Sequence, residues 1–176
     1  MKYDAADLRV EVLGASHDRA VFACGVESLE RYLKTQASQD ARRRANAVFV
    51  MVEIVSPTVI VGYFSLCATS LSPGDLREAA RKFVPRYPLV SATLLGRLAI
   101  ARERQGEGLG GILLARALRM AWESAGSVGS CMVVVDAIDE GAVSFYAAHG
   151  FSRLGETLRL AIAMRRIGEL LAGGAR

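Results

Sequence analysis

Apolar and polar positions change their period several times along the chain, and each change marks an element. Leu8 to Leu13 alternates weakly, as a first strand does. From Val26 to about Arg44, the apolar residues Val26, Leu29, Leu33 and Ala37 recur at helical spacing, and this helix ends in Arg42, Arg43 and Arg44. The β-branched and apolar runs Ala47 to Val55 and Val59 to Leu71, joined through Ser56, Pro57 and Thr58, predict a hairpin. Pro73 to Phe83 reads as a short helix, Pro85 and Pro88 break the chain, and Ala92 to Ile100 is a buried strand running into a glycine-rich turn. Leu109, Ile112, Leu113, Ala117, Leu118 and Ala121 form one stripe of period 3.6 and predict an amphipathic helix. Met132 to Val135 is wholly apolar, as in a sheet centre, and Glu140 to His149 is a short helix ended by Gly150, where a left-handed cap is wanted. Thr157 to Met164 closes the sheet as its last strand. This interleaving predicts one α/β (α+β) domain over residues 1–166, with 167–176 as a frayed tail.

Composition narrows the class. With 176 residues, 52% of them apolar and 23% charged, the chain has enough apolar side chains for one core and is neither disordered nor fibrous. Its apolar runs, such as Ala47 to Val52 and Met132 to Val135, stay far below the roughly 18 residues of a membrane span. The first ten residues carry Asp4 and Asp7 with no apolar core, so no signal peptide is expected and the protein is placed in the cytoplasm. Cys24, Cys67 and Cys131 are widely separated and only two histidines are present, which predicts buried thiols and no metal site. Of the 22 basic residues 19 are Arg, against 18 acids, for a net charge of +4. Arginine forks pair bidentately with phosphate, so a polyanion is a candidate partner, although Arg42 to Arg44 also fit a solvated, dipole-complementing helix end.

The sharpest local signal is Gln105-Gly106-Glu107-Gly108-Leu109-Gly110-Gly111, between a strand and an amphipathic helix. Glycines let backbone N–H groups converge, and a helix N-terminus adds orphan donors and a positive dipole end, so the segment suits a phosphate or pyrophosphate. A P-loop is excluded because no Gly-Lys-Ser/Thr follows Gly110. Gly106, Gly108 and Gly111 do satisfy the dinucleotide-binding spacing. They lie past mid-chain, however, and the nearest acids, Glu123 and Asp136, fit that fold poorly.

A second motif, Ser144-Phe145-Tyr146-Ala147-Ala148-His149-Gly150-Phe151, follows downstream. Together the two resemble the GNAT acetyltransferase superfamily, whose acyl-CoA loop is matched by Gln105, Gly108 and Gly110, and whose last-helix aromatic-Tyr pair before Gly-Phe is matched by Phe145, Tyr146, Gly150 and Phe151. Further segments, Leu94 to Ile100, Phe22 to Gly25, Leu29, Tyr32-Leu33, Gly62 to Leu66 and Arg86-Tyr87-Pro88, are similar to the TacT-like toxins of bacterial toxin-antitoxin pairs, over about residues 8–165. The chain departs from that branch at Ala101, commonly Asp, and at Arg104, commonly aromatic.

The resemblance implies a mixed sheet of about six or seven strands flanked by helices. It implies acetyl-CoA as co-substrate, no metal, and acetylation of the α-amino group of an aminoacyl-tRNA, which inhibits translation. It also implies a ribbon-helix-helix antitoxin, DNA contact only through that antitoxin, and a homodimer. Acetyl-CoA would be bound by Leu98, Ala99, Ile100 and by Arg104, Gln105, Gly106, Glu107, Gly108, Leu109, Gly110 and Gly111. Backbone N–H groups of Leu98 to Ile100 would take the thioester carbonyl.

Tyr146 is the candidate catalytic residue, facing the sulfur as a hydrogen-bond donor. His149 fits a cap or solvent role better. Glu103 and Glu107 flank the loop but read as solvated charges, leaving no general base. An α-amine near pKa 8 needs none, whereas a lysine amine near 10.4 would. Arg97 lies in an otherwise apolar strand and serves either a structural ion pair or the acceptor, which Arg42, Arg43, Arg44 and Arg86 would also bind. Two rival functions stand beside this one: a GNAT acetylating a small amine or protein N-terminus, against which the many arginines speak, and an inactive acyl-CoA-binding regulatory module, against which Tyr146 and the intact loop speak.

Overall fold

The computed structural model describes residues 4–174. Seven strands form one mixed sheet: β1 (Leu8–Val12), β2 (Ala47–Glu53), β3 (Ser56–Leu71), β4 (Val90–Ile100), β5 (Met132–Asp136), β6 (Ser152–Arg153) and β7 (Arg159–Ala163), in the order β1-β2-β3-β4-β5-β7-β6. Six helices accompany them: α1 (Glu27–Thr35), α2 (Ala37–Arg42), α3 (Glu78–Arg81), α4 (Leu109–Ala125), α5 (Glu140–Ala148) and α6 (Met164–Gly173). The chain divides into two compact units, Met1–Cys67 with Arg97–Ala117 and Ala68–Gly96 with Leu118–Arg176, so β4 and α4 each begin in one unit and end in the other.

In the first unit β1, β2 and β3 pair antiparallel. The hairpin turn is Ile54-Val55, with Glu53 opposite Ser56, rather than the expected Ser56 to Thr58. Val52 pairs next with Ile60, so Pro57, Thr58 and Val59 form a bulge, and the missing N–H of Pro57 costs no ladder bond. The expected single helix from Val26 to Arg44 is two, because Gln36 (φ −117°) ends α1 through its N–H to the Tyr32 carbonyl, and its own carbonyl starts α2 by accepting from Gln39 and Asp40. The first unit's core joins Phe22, Leu33, Val48, Val50, Tyr63 and Ala99, with the Tyr63 hydroxyl donating to the Leu29 carbonyl at 2.7 Å.

In the second unit β5 pairs parallel with β4 from Ala92↔Met132 to Leu95↔Val135, and antiparallel with β7. The apolar run Met132 to Val135 is fully buried between them, as its composition predicts. The expected helix over Pro73 to Phe83 shortens to a 3₁₀ turn, Pro73–Asp75, and the four residues of α3. The last expected strand begins later, at Arg159, and does not close the sheet, since the two residues of β6 form the edge beyond it.

The region expected to fray from residue 167 is instead α6, with Met164 and Ile167 buried. Gly168 permits its close seat: a Cβ there would stand 2.7 Å from Trp122 Nε1. Ala175 and Arg176, also in that expected tail, lie outside the described residues.

Candidate active site

The segment expected to hold acetyl-CoA belongs to the first unit. Leu98, Ala99 and Ile100 end β4, Arg102–Arg104 form one 3₁₀ turn, and α4 starts at Leu109. The β4–β5 register stops at Leu95, upstream of these three residues. Gly106 (φ +82°) and Gly108 (φ +81°) are left-handed, a conformation that costs other L-residues about 1 kcal/mol or more. A Cβ at either would meet nothing within 4 Å, so the backbone angle and not crowding demands glycine. Gly110 and Gly111 fall in the first turn of α4, where N–H groups lack intrahelical acceptors and the dipole is positive.

Distant parts of the chain set this loop's shape. Ala101 N–H donates to the Val61 carbonyl at 2.8 Å and Arg102 N–H to that of Ala23 at 2.7 Å. Gln105 Nε2 donates to the carbonyls of Cys24, at 2.8 Å, and Ile100, at 3.0 Å. Arg104 joins Glu107 through Nε and Glu53 through Nη2, each at 3.0 Å. Glu107 is thus half-buried and paired rather than solvated, while Glu103 is exposed. The 22–25 segment is fixed in turn by Glu30, whose carboxylate accepts the N–H groups of Cys24 and Gly25 at 2.9 Å each, bonds that hold its pKa below the ordinary value. Gly62 on β3 allows close packing, since a Cβ there would lie 2.8 Å from the Ala99 carbonyl oxygen. The side chains of Arg104, Gln105 and Glu107 are therefore spent on scaffolding, and what the loop offers a ligand is backbone N–H.

The same unit carries most of the expected acceptor residues. Arg42 ends α2, Arg43 caps it and Arg44 is left-handed (φ +57°), and all three are exposed. Arg97 is half-buried, and its guanidinium carbon lies 3.4 Å from the centroid of the Tyr32 ring, a stacked cation rather than half of an ion pair.

Tyr146 and Arg86 belong to the second unit. Arg86 is exposed on the segment between α3 and β4. Tyr146 is on α5, which Asp139 starts by accepting the Ala142 N–H at 2.8 Å and which left-handed Gly150 (φ +95°) ends. The Tyr146 ring meets Phe145 and Phe151 edge-on, at 5.2 Å and 5.4 Å between centroids, and is 8% exposed; burial raises its phenol to about 12. His149 Nδ1 lies 2.7 Å from the Phe145 carbonyl oxygen at the helix end, the expected capping place.

Cys24 is buried and Cys67 half-buried, and burial raises both thiols. Among the described residues no group of three or more His, Cys, Asp or Glu is placed to hold a metal, and no helix is long and apolar enough to cross a membrane. Sequence reasoning missed Glu30 and Glu53, which act on the loop from far upstream. No local pattern marks them, because their partners are set by how β2 and α1 fold.

The Acetyltransferase (GNAT) family profile matches residues 24–151. A probable toxin TacT of Sinorhizobium fredii is 28% identical over 145 residues, 78% of this chain and 80% of that protein. A tRNA-acetylating toxin of Mycobacterium tuberculosis is 31% identical over 134 residues, 76% and 78% of the two chains. Among solved structures, AtaT complexed with acetyl-methionyl-tRNAfMet has TM-score 0.85 and 30% identity, covering 94% of this chain and 99% of that one. A tyrosine-to-phenylalanine mutant of the AtaT toxin, bound to acetyl-CoA and the C-terminus of the antitoxin AtaR, has TM-score 0.79 and 29% identity, covering 94% and 98%. The matched span takes in both the glycine loop and the Tyr146 helix, and the chain belongs to the GNAT acetyltransferase family.

Proposed function

We propose that this protein is a toxin of the cytoplasm that moves the acetyl group of acetyl-CoA onto the α-amino group of an aminoacyl-tRNA and so inhibits translation. The observation that carries this reading is the likeness, over 94% of the chain, to a toxin solved with acetyl-methionyl-tRNAfMet. A ribbon-helix-helix antitoxin silences it and supplies its contact with DNA. The AtaT structure that holds the antitoxin C-terminus supports the first of these.

The N–H groups of Gly106 to Gly111, at the positive end of α4, take the pyrophosphate. Leu98, Ala99 and Ile100 offer strand N–H groups to the pantetheine arm and to the thioester carbonyl, polarising it for attack. The amine adds to the carbonyl carbon, the carbon–sulfur bond breaks, and the amine loses a proton to solvent. Tyr146 stabilises the departing sulfur as a hydrogen-bond donor: burial raises its phenol to about 12, which disfavours complete proton transfer to a thiolate. An α-amino group with pKa near 8 is partly neutral at pH 7 without help, so the reaction does not require a general base. Arg42, Arg43, Arg44 and Arg86 meet the RNA backbone.

The test is radiolabelled acetyl transfer to mixed charged tRNAs against free amino acids, polyamines and peptides. Transfer to charged tRNA should dominate and fall steeply as salt rises from about 50 to about 200 mM. Replacing Arg42, Arg43 and Arg44 together by Ala should raise KM for tRNA and flatten the salt slope, with acetyl-CoA binding intact. Equal acetylation of free amines without salt dependence would replace this reading by a small-amine acetyltransferase, and no transfer at all by a regulatory acyl-CoA-binding module.

A further inference from the structure

Arg97 is a cation that the loop scaffold leaves unused. Strand alternation puts its side chain on the same face of β4 as Ala99, which packs in the core cluster that includes Tyr32. Tyr32 is 3% exposed, and its hydroxyl donates to Asp40 Oδ2 at 3.0 Å. Asn46 Nδ2 donates to the same oxygen at 3.1 Å. The ring beneath Arg97 is thus pinned at its far end, and Asp40 is engaged from two sides. Among the described residues no carboxylate pairs with Arg97, whereas the half-buried Arg104, Arg153 and Arg159 each have at least one.

A guanidinium stacked by its face keeps its N–H edge available, and that edge fits two oxygens of a phosphate at once. Half-burial sharpens the preference, because water satisfies the cation incompletely and a bound anion is less screened. Arg97 also directly precedes Leu98, the first residue proposed to hold the thioester. The amino acid of an aminoacyl-tRNA is esterified to the last nucleotide, so the phosphate of that nucleotide is the one nearest the reacting amine. Phosphates farther along the RNA suit the arginines at 42–44.

We propose that Arg97, held in place by Tyr32, is a binding site for the phosphate of the acceptor's 3′-terminal nucleotide and thereby sets the ester-linked amino acid against the thioester. Tyr32 is a positioning residue that acts through Arg97. The inference rests on aminoacyl-tRNA being the acceptor. The phosphates of acetyl-CoA are the other source of the same chemistry, and the two are separable.

The experiment compares acetyl transfer to 3′-aminoacyl-adenosine with and without its 5′-phosphate, and to aminoacyl-tRNA, for the wild type, Arg97→Met, Arg97→Lys and Tyr32→Phe. The phosphate should raise wild-type kcat/KM about tenfold, and Arg97→Met should shrink that preference to about twofold or less, a coupling within the range for groups in contact. Arg97→Lys should keep part of it, having the charge without the fork. Tyr32→Phe, which keeps the ring and releases Asp40, should weaken it while KM for acetyl-CoA stays at the wild-type value. An unchanged acetyl-CoA melting shift certifies that each variant is folded. A phosphate preference that survives Arg97→Met overturns the proposal. So does a rise in KM for acetyl-CoA with KM for aminoacyl-tRNA unmoved, which puts Arg97 on the cofactor. If wild type ignores aminoacyl acceptors and acetylates free amines, the functional reading falls first and this inference with it.

Discussion

The glycine loop of the first unit and the Tyr146 helix of the second are built on opposite principles. Every polar side chain of the loop named for acetyl-CoA is committed to the protein: Gln105 to two carbonyls, Arg104 to Glu53 and Glu107. That leaves its backbone N–H groups for the proposed ligand. On α5 the main chain is consumed by the helix and its caps, and the proposed chemistry rests on one phenol gripped by two aromatic edges. Substitutions should therefore act differently in the two regions. Changes to the loop should alter binding, and the smallest change to Tyr146 should alter rate.

The largest effect is expected from Gly108→Asp, which adds a carboxylate and an unfavourable left-handed angle where phosphate is to bind. The rise in melting temperature with acetyl-CoA should vanish, and a retained shift would remove the phosphate assignment from the loop. Next comes Tyr146→Phe, which keeps both aromatic contacts and deletes the hydroxyl. Turnover should fall by roughly 10² or more while acetyl-CoA affinity stays within about threefold, measured by single-turnover transfer and calorimetry. A fully active Phe variant would make the two regions alike in being structural.

The smallest effect concerns the loop's remote support. The carboxylate of Glu30 titrates below its usual 4.5 because the N–H groups of Gly25 and Cys24 bond it. Its stabilisation is complete above pH 4.5 and is lost as pH falls through the lower folded value. Urea midpoints between about pH 6 and 3 should accordingly fall less steeply for Glu30→Gln than for wild type. Identical slopes would show that the two bonds add nothing.

The same contrast governs what could be read from sequence. The Gly150 cap, the α4 stripe and the apolar β5 were legible because each is a local pattern, whereas Tyr146 stood out only through the resemblance of Ser144 to Phe151 to the GNAT motif. The loop's glycines were legible, but its supports were not: the Gln105–Cys24 bond spans 81 residues and leaves no periodic trace. The break between α1 and α2 was missed because Gln36 carries no breaker signal. Helix α6 was missed for another reason. Met164, Ile167 and Leu170 do recur at helical spacing, but Gly173 and Gly174 drew attention to a frayed end. The tight turn at Ile54-Val55 went unseen because two β-branched residues occupy it while Pro57 next to it serves a bulge.

The interleaving of the two units sets a timetable for synthesis. The first unit lacks its closing pieces, the end of β4 and the start of α4, until the ribosome has added Arg97–Ala117. Between Cys67 and Ala117 the nascent chain must carry Ala68–Gly96, which belongs to the other unit. At about 5–20 residues per second that interval lasts roughly 2.5 to 10 s. Until Gln105 has been added, the carbonyls of Ala23, Cys24 and Val61 have no loop to receive. The first unit therefore cannot be completed until well past the midpoint of the chain.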